Sequence, residues 1–168
     1  MVDTKSNQMH PRKVEVVTST IGQDKYRIVA TAAFESTPEE IWKLLGDWEQ
    51  FLAVGLPGIT SDFQWLSGGP DQVPSTFQFE MAGTVIREEI YEITKTDRHR
   101  LRYRTLEPAL GILDYDAILD LDPITAFQTN FTAAREVQYE PGSDPEILAG
   151  MVHSETQCLK AYFAGKAI

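Results

Sequence analysis

The sequence is poor in the residues from which disulfides, metal sites and nucleophilic catalytic sites are built. Its 168 residues include one cysteine and three histidines. Cys158 has no intramolecular disulfide partner, and its place in an apolar stripe indicates a small hydrophobe rather than a reactive thiol. His153 lies on the polar side of a predicted helix and His99 in a predicted turn, so no histidine stands beside a nucleophile. We therefore expect neither a catalytic triad nor a metal site.

Basic residues, long apolar runs and glycine-rich phosphate loops are also scarce. Lysine and arginine number 15 against 25 acidic residues, for a net charge of -10, and this acidity opposes binding to nucleic acids. No segment approaches the ~20 apolar residues of a membrane span, and no glycine-rich loop predicts a nucleotide cofactor. We expect a cytoplasmic protein that uses no cofactor, binds no nucleic acid, spans no membrane, and is a monomer or homodimer.

The chain has the length of one domain. Residues 1–12 are polar and aperiodic, which predicts a flexible leader before a single domain over 13–168. A strand rich in β-branched and aromatic residues is predicted over 26–35, with a hairpin to the preceding residues as one alternative.

Two short helices are predicted after this strand. Ser36-Thr37-Pro38 combines a capping hydroxyl with a proline at the first helical position, and Gly46-Asp47 ends the helix. A second short helix is predicted over 48–54. We expect the two helices to form a V.

Strand-like runs separated by turn residues then fill most of the chain. From Leu113 to Asp122, apolar and acidic residues alternate, so Leu113 and Tyr115 should face inward and the aspartates should face water. The DxDxD pattern lacks the glycine and terminal glutamate of an EF-hand loop, so it does not predict a calcium site. The six runs are 60–67, 75–82, 84–95, 100–107, 113–122 and 126–139.

The last helix carries the most unusual residue. From Pro145 to Ala164, apolar residues recur at three- and four-residue steps, and Glu155 falls near the centre of that stripe. A buried carboxylate costs several kcal/mol unless it is paired, hydrogen-bonded or faces a wet cavity. Either the helix covers a cavity or Glu155 has a partner.

This order of elements predicts an α+β fold. A strongly curved antiparallel sheet of about seven strands would be combined with two short helices and one long C-terminal helix. Because such a sheet does not close well on itself, the amphipathic helix is expected to cover its open side. This helix-grip arrangement can enclose a cavity.

Alternation along two strands indicates which polar residues face the cavity. Ile86, Glu88 and Ile90 share one face, so Glu88 points inward if the isoleucines do, whereas an edge strand would leave it in solvent. Arg135 likewise shares a face with Phe131 and could form an ion pair with Glu155. Both a structural pair and a functional Glu155 carboxylate remain open alternatives.

Several segments carry a family resemblance. They are STPEEIWKLLGDWEQF at 36–51, LPGI at 56–59, GTVIREEI at 83–90, LRYRTLEPALGILDY at 101–115, and the last helix. In these segments the chain resembles the START/SRPBCC superfamily, which includes the birch-pollen allergen, lipid-transfer START domains and plant abscisic-acid receptors. It is most similar in texture to the bacterial polyketide cyclase/dehydrase-like members.

The resemblance implies an apolar cavity between the sheet and the long helix, entered through loops near the V-shaped helices. It also implies that Glu88 points into this cavity and that Tyr103 and Tyr115 line it. Leu56 falls in a Gly-Leu-Pro-Gly segment that is only superficially similar to the gate of the hormone receptors, and Glu155 stands where many relatives carry an apolar residue.

Two functions follow as hypotheses. In the first, a hydrophobic oxygenated molecule, polyketide- or terpenoid-like, is cyclised or dehydrated without a cofactor by acid–base groups. In the second, the protein carries or senses such a ligand unchanged. The predicted catalytic residues are Glu88, Glu155 and Tyr115, and the predicted ligand-binding residues are Tyr103, Arg135, Ile86, Ile90, Leu56, Met151 and Trp65.

Overall fold

A computed structural model describes residues 13–164. In this range one eight-stranded antiparallel sheet is combined with three helices. The strands are β1 (Glu15–Gly22), β2 (Lys25–Phe34), β3 (Thr60–Ser67), β4 (Ser75–Met81), β5 (Thr84–Lys95), β6 (His99–Thr105), β7 (Ile112–Thr125) and β8 (Gln128–Tyr139). The helices are α1 (Pro38–Leu45), α2 (Trp48–Gly55) and α3 (Pro145–Ala164).

The sheet is a hairpin joined to a meander. Strands β1 and β2 pair first, α1 and α2 carry the chain to the far edge, and β3 to β8 then return strand by strand until β8 pairs with β2. The resulting order is β1-β2-β8-β7-β6-β5-β4-β3. Helix α3 packs against β1, β2 and α2, so it covers the inner face of the curved sheet.

Local capping chemistry explains where the helices begin. The Thr37 hydroxyl accepts a hydrogen bond from the Glu40 backbone N–H at 3.2 Å, and Pro38 occupies the first helical position. At α3, the Asp144 carboxylate accepts from the Glu146 N–H at 3.0 Å. These contacts satisfy backbone donors that have no partner inside the helix.

The predicted α+β helix-grip class is confirmed, and the predicted α3 has the observed bounds. The sheet has eight strands rather than about seven, because the residues before the first turn form the separate strand β1. His99 is not in a turn as predicted, since it begins β6, is buried, and packs against Trp42 with ring centroids 5.7 Å apart. The predicted leader over 1–12 lies outside the described residues, and the single domain stays a prediction.

One inward residue of β7 was predicted on the wrong face. Tyr115 is buried as expected, but Leu113 is 43% exposed. The pairing of β7 with β8 shifts register between Ile112 and Asp114. A bulge adds one residue and thereby reverses the alternation, so Ile112 takes the inward position that the sequence pattern assigned to Leu113.

The outer aspartates of β7 pair with arginines of β6 and its preceding turn. Arg100 donates two hydrogen bonds to Asp120, from Nε at 2.7 Å and from Nη2 at 3.0 Å, and Arg98 donates to Asp122 at 2.7 Å. Asp116 accepts a hydrogen bond from the Tyr91 hydroxyl at 2.6 Å. The acidic run is therefore a neutralised face of the sheet rather than an isolated charged patch.

Two further properties concern residues 13–164 only. No helix in this range is long and apolar enough to cross a membrane. Within the same described part of the chain, no group of three or more histidine, cysteine, aspartate or glutamate side chains is arranged to hold a metal ion.

We expect Asp120→Asn to destabilise the protein by about 1–2 kcal/mol, because it weakens a bidentate, partly buried charge-assisted contact with Arg100. Glu136→Gln is the matched control, since its contact with Arg27 is a half-exposed pair at 3.6 Å and is expected to be worth less than about 1 kcal/mol. Urea unfolding measures both variants. Equal losses of unfolding free energy in the two variants would contradict a larger contribution of the Asp120–Arg100 contact to stability.

Candidate ligand cavity and its buried polar cluster

A cavity of about 430 Å³ lies between the sheet and helices α2 and α3. Most of its wall is apolar and comes from α2, the β4–β5 hairpin, the segment between β6 and β7, and α3. A volume of this size fits a small organic ligand. The apolar lining residues are Trp48, Phe51, Leu52, Leu56, Phe79, Met81, Ile86, Ala109, Leu110, Ile112, Ile147, Leu148 and Met151.

Polar side chains from four elements meet at one part of this wall. Glu88 of β5, Tyr103 of β6, Tyr115 of β7 and Glu155 of α3 all line the cavity. Arg135 of β8 lies behind them and is bonded to two of them. We call these five residues the polar cluster. Ile86, Glu88 and Ile90 are all buried, so β5 directs Glu88 inward as the alternation predicted.

Glu155 is paired with Arg135. The Arg135 Nη2 donates to Glu155 Oε1 at 2.6 Å, and both residues are buried, at 1% and 6% exposure. Arg135 therefore lies behind the cavity wall, and the predicted ion pair exists. Since Glu155 also lines the cavity, pairing leaves its other oxygen, Oε2, for a ligand. A structural ion pair and a functional Glu155 carboxylate, the two alternatives left open by the sequence, are thus compatible.

A chain of hydrogen bonds continues from Arg135 through two tyrosines. Arg135 Nε donates to the Tyr115 hydroxyl at 2.5 Å, and the hydroxyls of Tyr115 and Tyr103 are 3.0 Å apart. Either hydroxyl can donate to the other, because the Tyr115 oxygen has a second lone pair beside the one that accepts from the guanidinium. When Tyr115 donates to Tyr103, the Tyr103 proton is left for a group in the cavity.

Glu88 is the member of the cluster without a hydrogen bond among the described residues. It is 5% exposed. Its pKa is raised to about 8. Burial is the largest cause, the Glu155 carboxylate also raises the pKa, and the Arg135 charge lowers it. Glu88 is therefore a protonated acid near neutral pH, able to donate a hydrogen bond or a proton to a ligand.

The tyrosines stay protonated as well. Burial raises the pKa of Tyr115 to about 12, although the Arg135 charge opposes this shift. Burial also raises the pKa of Tyr103 well above its ordinary value. Both hydroxyls therefore act as hydrogen-bond donors rather than as bases.

Close packing of α2 on α3 holds Glu155 in place. A Cβ atom at Gly55 would lie 2.9 Å from the Glu155 Cγ and 3.8 Å from Leu159 Cδ2. A glycine at the end of α2 therefore permits the approach that aligns Glu155 with Arg135.

The cavity opens between the β6–β7 segment and the start of α3. Leu110 and Ile147 line it and are 46% and 76% exposed, whereas the lining residues of α2 are buried. The Glu140 N–H donates to the Gly111 carbonyl at 2.9 Å and joins the two sides of the opening. The opening thus differs from the one near the V-shaped helices that the family resemblance implied.

The structure brings most of the predicted site residues to the cavity. Leu56, Ile86, Met151, Tyr103, Tyr115, Glu88 and Glu155 line it. Ile90 and Trp65 do not: Ile90 is a core residue, and Trp65 packs edge-on against Phe63 and Phe77 on β3 and β4. The alternation that located Arg135 also places Tyr139 on the inward face of β8, and this lining residue was missed.

The fold and its cavity define the helix-grip class of ligand-binding proteins. Residues 25–163 match the family described as polyketide cyclase / dehydrase and lipid transport, and the chain belongs to this family. No curated protein sequence matches the chain.

Solved structures support the same fold at low sequence identity. Norcoclaurine synthase from Thalictrum flavum, in complex with dopamine and hydroxybenzaldehyde, has a TM-score of 0.65 and 14% identity, covering 89% of this chain and 88% of its own. Major latex-like protein 151 from Panax ginseng has a TM-score of 0.66 and 15% identity, covering 83% of this chain and 98% of its own. XoxI from Bacillus cereus has a TM-score of 0.68 and 16% identity, covering 82% of this chain and 95% of its own.

We expect Glu155→Gln to destabilise the protein by about 3–5 kcal/mol, because it leaves the Arg135 charge buried and unpaired. The double variant Glu155→Leu/Arg135→Met should recover most of this loss, since apolar side chains of similar size remove both charges. Urea unfolding measures each variant. A loss below about 1 kcal/mol for the single change would show that the pair contributes little.

Glu88 should make stability depend on pH. Its carboxyl titrates near 4.5 in the unfolded chain and near 8 in the folded protein. The folded state therefore binds more protons between these values, and the free energy of unfolding should fall as the pH rises through this window.

Urea unfolding across that window should give a flatter profile for Glu88→Gln than for the natural protein. Glu89→Gln is the control, because Glu89 lies on the opposite face of β5 and pairs with Arg104. A Glu88→Gln profile parallel to that of the natural protein would contradict the raised pKa.

Proposed function

We propose that the protein binds a mostly apolar, oxygenated small molecule, polyketide- or terpenoid-like, and catalyses its cofactor-independent dehydration or cyclisation. The observation that carries this proposal is Glu88, a buried and protonated acid without a hydrogen-bond partner among the described residues, beside the Glu155 carboxylate in an apolar cavity. An acid and a base with separated proton affinities are what such reactions require.

A β-hydroxy ketone shows how the two carboxyl groups would act. Glu155 Oε2 removes a proton from the carbon that lies between the carbonyl group and the hydroxyl-bearing carbon. The released electron pair forms the carbon–carbon double bond. The carbon–oxygen bond breaks as Glu88 donates its proton, so the hydroxyl leaves as water. Return of the proton from Glu155 to Glu88 restores both groups.

Cyclisation of a dicarbonyl compound would use the same groups. After Glu155 removes a proton next to one carbonyl, the resulting enolate carbon attacks the second carbonyl, and Glu88 protonates the new alkoxide. The cavity contributes by holding the flexible chain folded, which lowers the entropic cost of ring closure.

Tyr103 would stabilise the negative charge that develops on the carbonyl oxygen. Its hydroxyl lies at the end of the chain from Arg135 through Tyr115, so the guanidinium charge strengthens its donated hydrogen bond. This arrangement supports Tyr103 as the group that contacts the ligand oxygen and Tyr115 as its positioning partner.

A carrier or sensor is the second candidate function. The observation that favours it is the bonding within the cluster: Arg135 donates to Tyr115, the hydroxyls of Tyr115 and Tyr103 are bonded to each other, and Arg135 holds Glu155. A carboxylate held by a guanidinium is less free to approach a substrate proton, so the cavity would retain a ligand without reacting with it. The norcoclaurine synthase complex with dopamine and hydroxybenzaldehyde supports accommodation of oxygenated molecules by this fold.

The aldol adduct of benzaldehyde and acetone is a suitable test substrate, because dehydration gives a conjugated ketone with a new ultraviolet absorbance. We expect the protein to accelerate this conversion, and Glu88→Gln to lower kcat by about a hundredfold or more through loss of the acid. Tyr103→Phe should lower kcat by about tenfold or more.

Glu89→Gln is the control and should leave kcat unchanged. Binding of the same ketone is followed by native mass spectrometry. Saturable binding without conversion would contradict catalysis and support the carrier, whereas absence of binding would contradict both functions.

A further inference from the structure

The ionisable side chains that line the cavity are all acidic or phenolic. Glu88, Glu155 and Asp144 contribute the carboxyl groups, and among the described residues no lysine, arginine or histidine lines the wall. Arg135 lies behind the wall, bonded to Glu155. Asp144 is exposed and precedes α3, at the opening. The cavity therefore presents acidic groups to a ligand and offers no free positive group to an anion.

The charges of the polar cluster balance only while Glu88 keeps its proton. Arg135 contributes one positive charge and Glu155 one negative charge, and the two are paired at 2.6 Å. Ionisation of Glu88 would add a second negative charge without a partner. An uncompensated charge in a buried apolar site is strongly unfavourable. The proton on Glu88 thus occupies the place of one cation.

Glu88 is placed to receive a cation from the cavity. It is 5% exposed, and its carboxyl oxygens, which have no hydrogen-bond partner, are not among the fully enclosed polar atoms of residues 13–164. They therefore keep surface that a ligand reaches.

Aromatic rings adjoin this carboxyl group. Glu88 pairs with Phe77 across β4 and β5. The Trp48 ring lies 5.8 Å from that of Phe77 and 4.8 Å from that of Tyr103, measured between centroids. Trp48 and Tyr103 both line the cavity, and the faces of such rings attract cations.

We propose that the cavity binds a primary amine with an apolar body, and that its ammonium group takes the place of the Glu88 proton. The ammonium group forms an ion pair with the Glu88 carboxylate, and the proton of Glu88 passes to the solvent, so the charge of the cluster stays balanced. Oε2 of Glu155 offers a second acceptor, because Arg135 holds only Oε1. The inference goes beyond the proposed function: it assigns a second ligand class to the same cavity and requires no reaction.

Exchange of a proton for an ammonium group makes amine binding depend on pH. Well below the Glu88 pKa of about 8, each bound amine releases one proton, so its affinity should rise about tenfold per pH unit. Above that pKa the rise should stop, because Glu88 is already ionised.

The other groups that face Glu88 do not titrate in this range. The tyrosines and the arginine keep their protons because their pKa values are raised, and the arginine holds Glu155 as a carboxylate. The residues paired with Glu88 on β4 and β6 carry no titratable group. The groups concerned are Tyr103 of β6, Tyr115 of β7, Arg135 of β8 and Glu155 of α3.

The test compares phenylbutylamine with phenylbutanol, which has the same carbon skeleton and no charge. Isothermal titration calorimetry at about pH 7, in phosphate and in Tris, gives the number of protons released, because the two buffers differ in ionisation enthalpy. We expect about one proton per bound amine and none for the alcohol. From about pH 6 to about pH 7 the Kd of the amine should fall about tenfold, whereas that of the alcohol should stay constant.

Glu88→Gln should abolish the proton release and raise the Kd of the amine at about pH 7 by about tenfold or more, because an amide cannot form the ion pair. Binding of the alcohol reports whether the cavity of this variant is folded. Glu89→Gln is the matched control and should release the proton, since Glu89 lies on the opposite face of β5 and pairs with Arg104. Asp144→Asn keeps a residue able to cap α3 and should also release the proton.

Each outcome decides a specific point. An amine that binds without proton release, release that persists in Glu88→Gln, or release lost in Asp144→Asn would overturn the assignment of the ammonium group to Glu88. The pH dependence of the natural protein needs no variant, so it tests the assignment even where Glu88→Gln does not fold. Failure of the amine to bind would overturn the inference, whereas the proposed function is decided separately by conversion of the aldol adduct of benzaldehyde and acetone.

Discussion

The buried ion pair between Arg135 and Glu155 is the contact on which the cavity depends. It joins the middle of the sheet to the helix that covers it, and neither charge has appreciable access to water. Two charges removed from water are stable only when they are paired with good geometry. The pair therefore fixes where α3 lies on the sheet, and Gly55 allows α2 to pack close enough to hold Glu155 in that position.

The same pair acts on the protonation of Glu88 in two opposite ways. Its two charges oppose each other at Glu88, since Glu155 raises the pKa and Arg135 lowers it. Burial is left as the dominant influence, and it favours the neutral acid. A lone carboxylate at position 155 would add repulsion, and a lone guanidinium at position 135 would favour ionised Glu88. Glu155 therefore reinforces the effect of burial on Glu88, and Arg135 opposes it.

Much of the fold was predictable because alternation and capping are local. Thr37-Pro38 located α1, and alternation on β5 and β8 placed Glu88 and Arg135 inward. The exposure of Leu113 was not predictable, because a bulge depends on the partner strand rather than on β7 itself. Trp65 was misplaced for a related reason: aromatic character does not reveal whether a strand end lies at the cavity or against neighbouring rings.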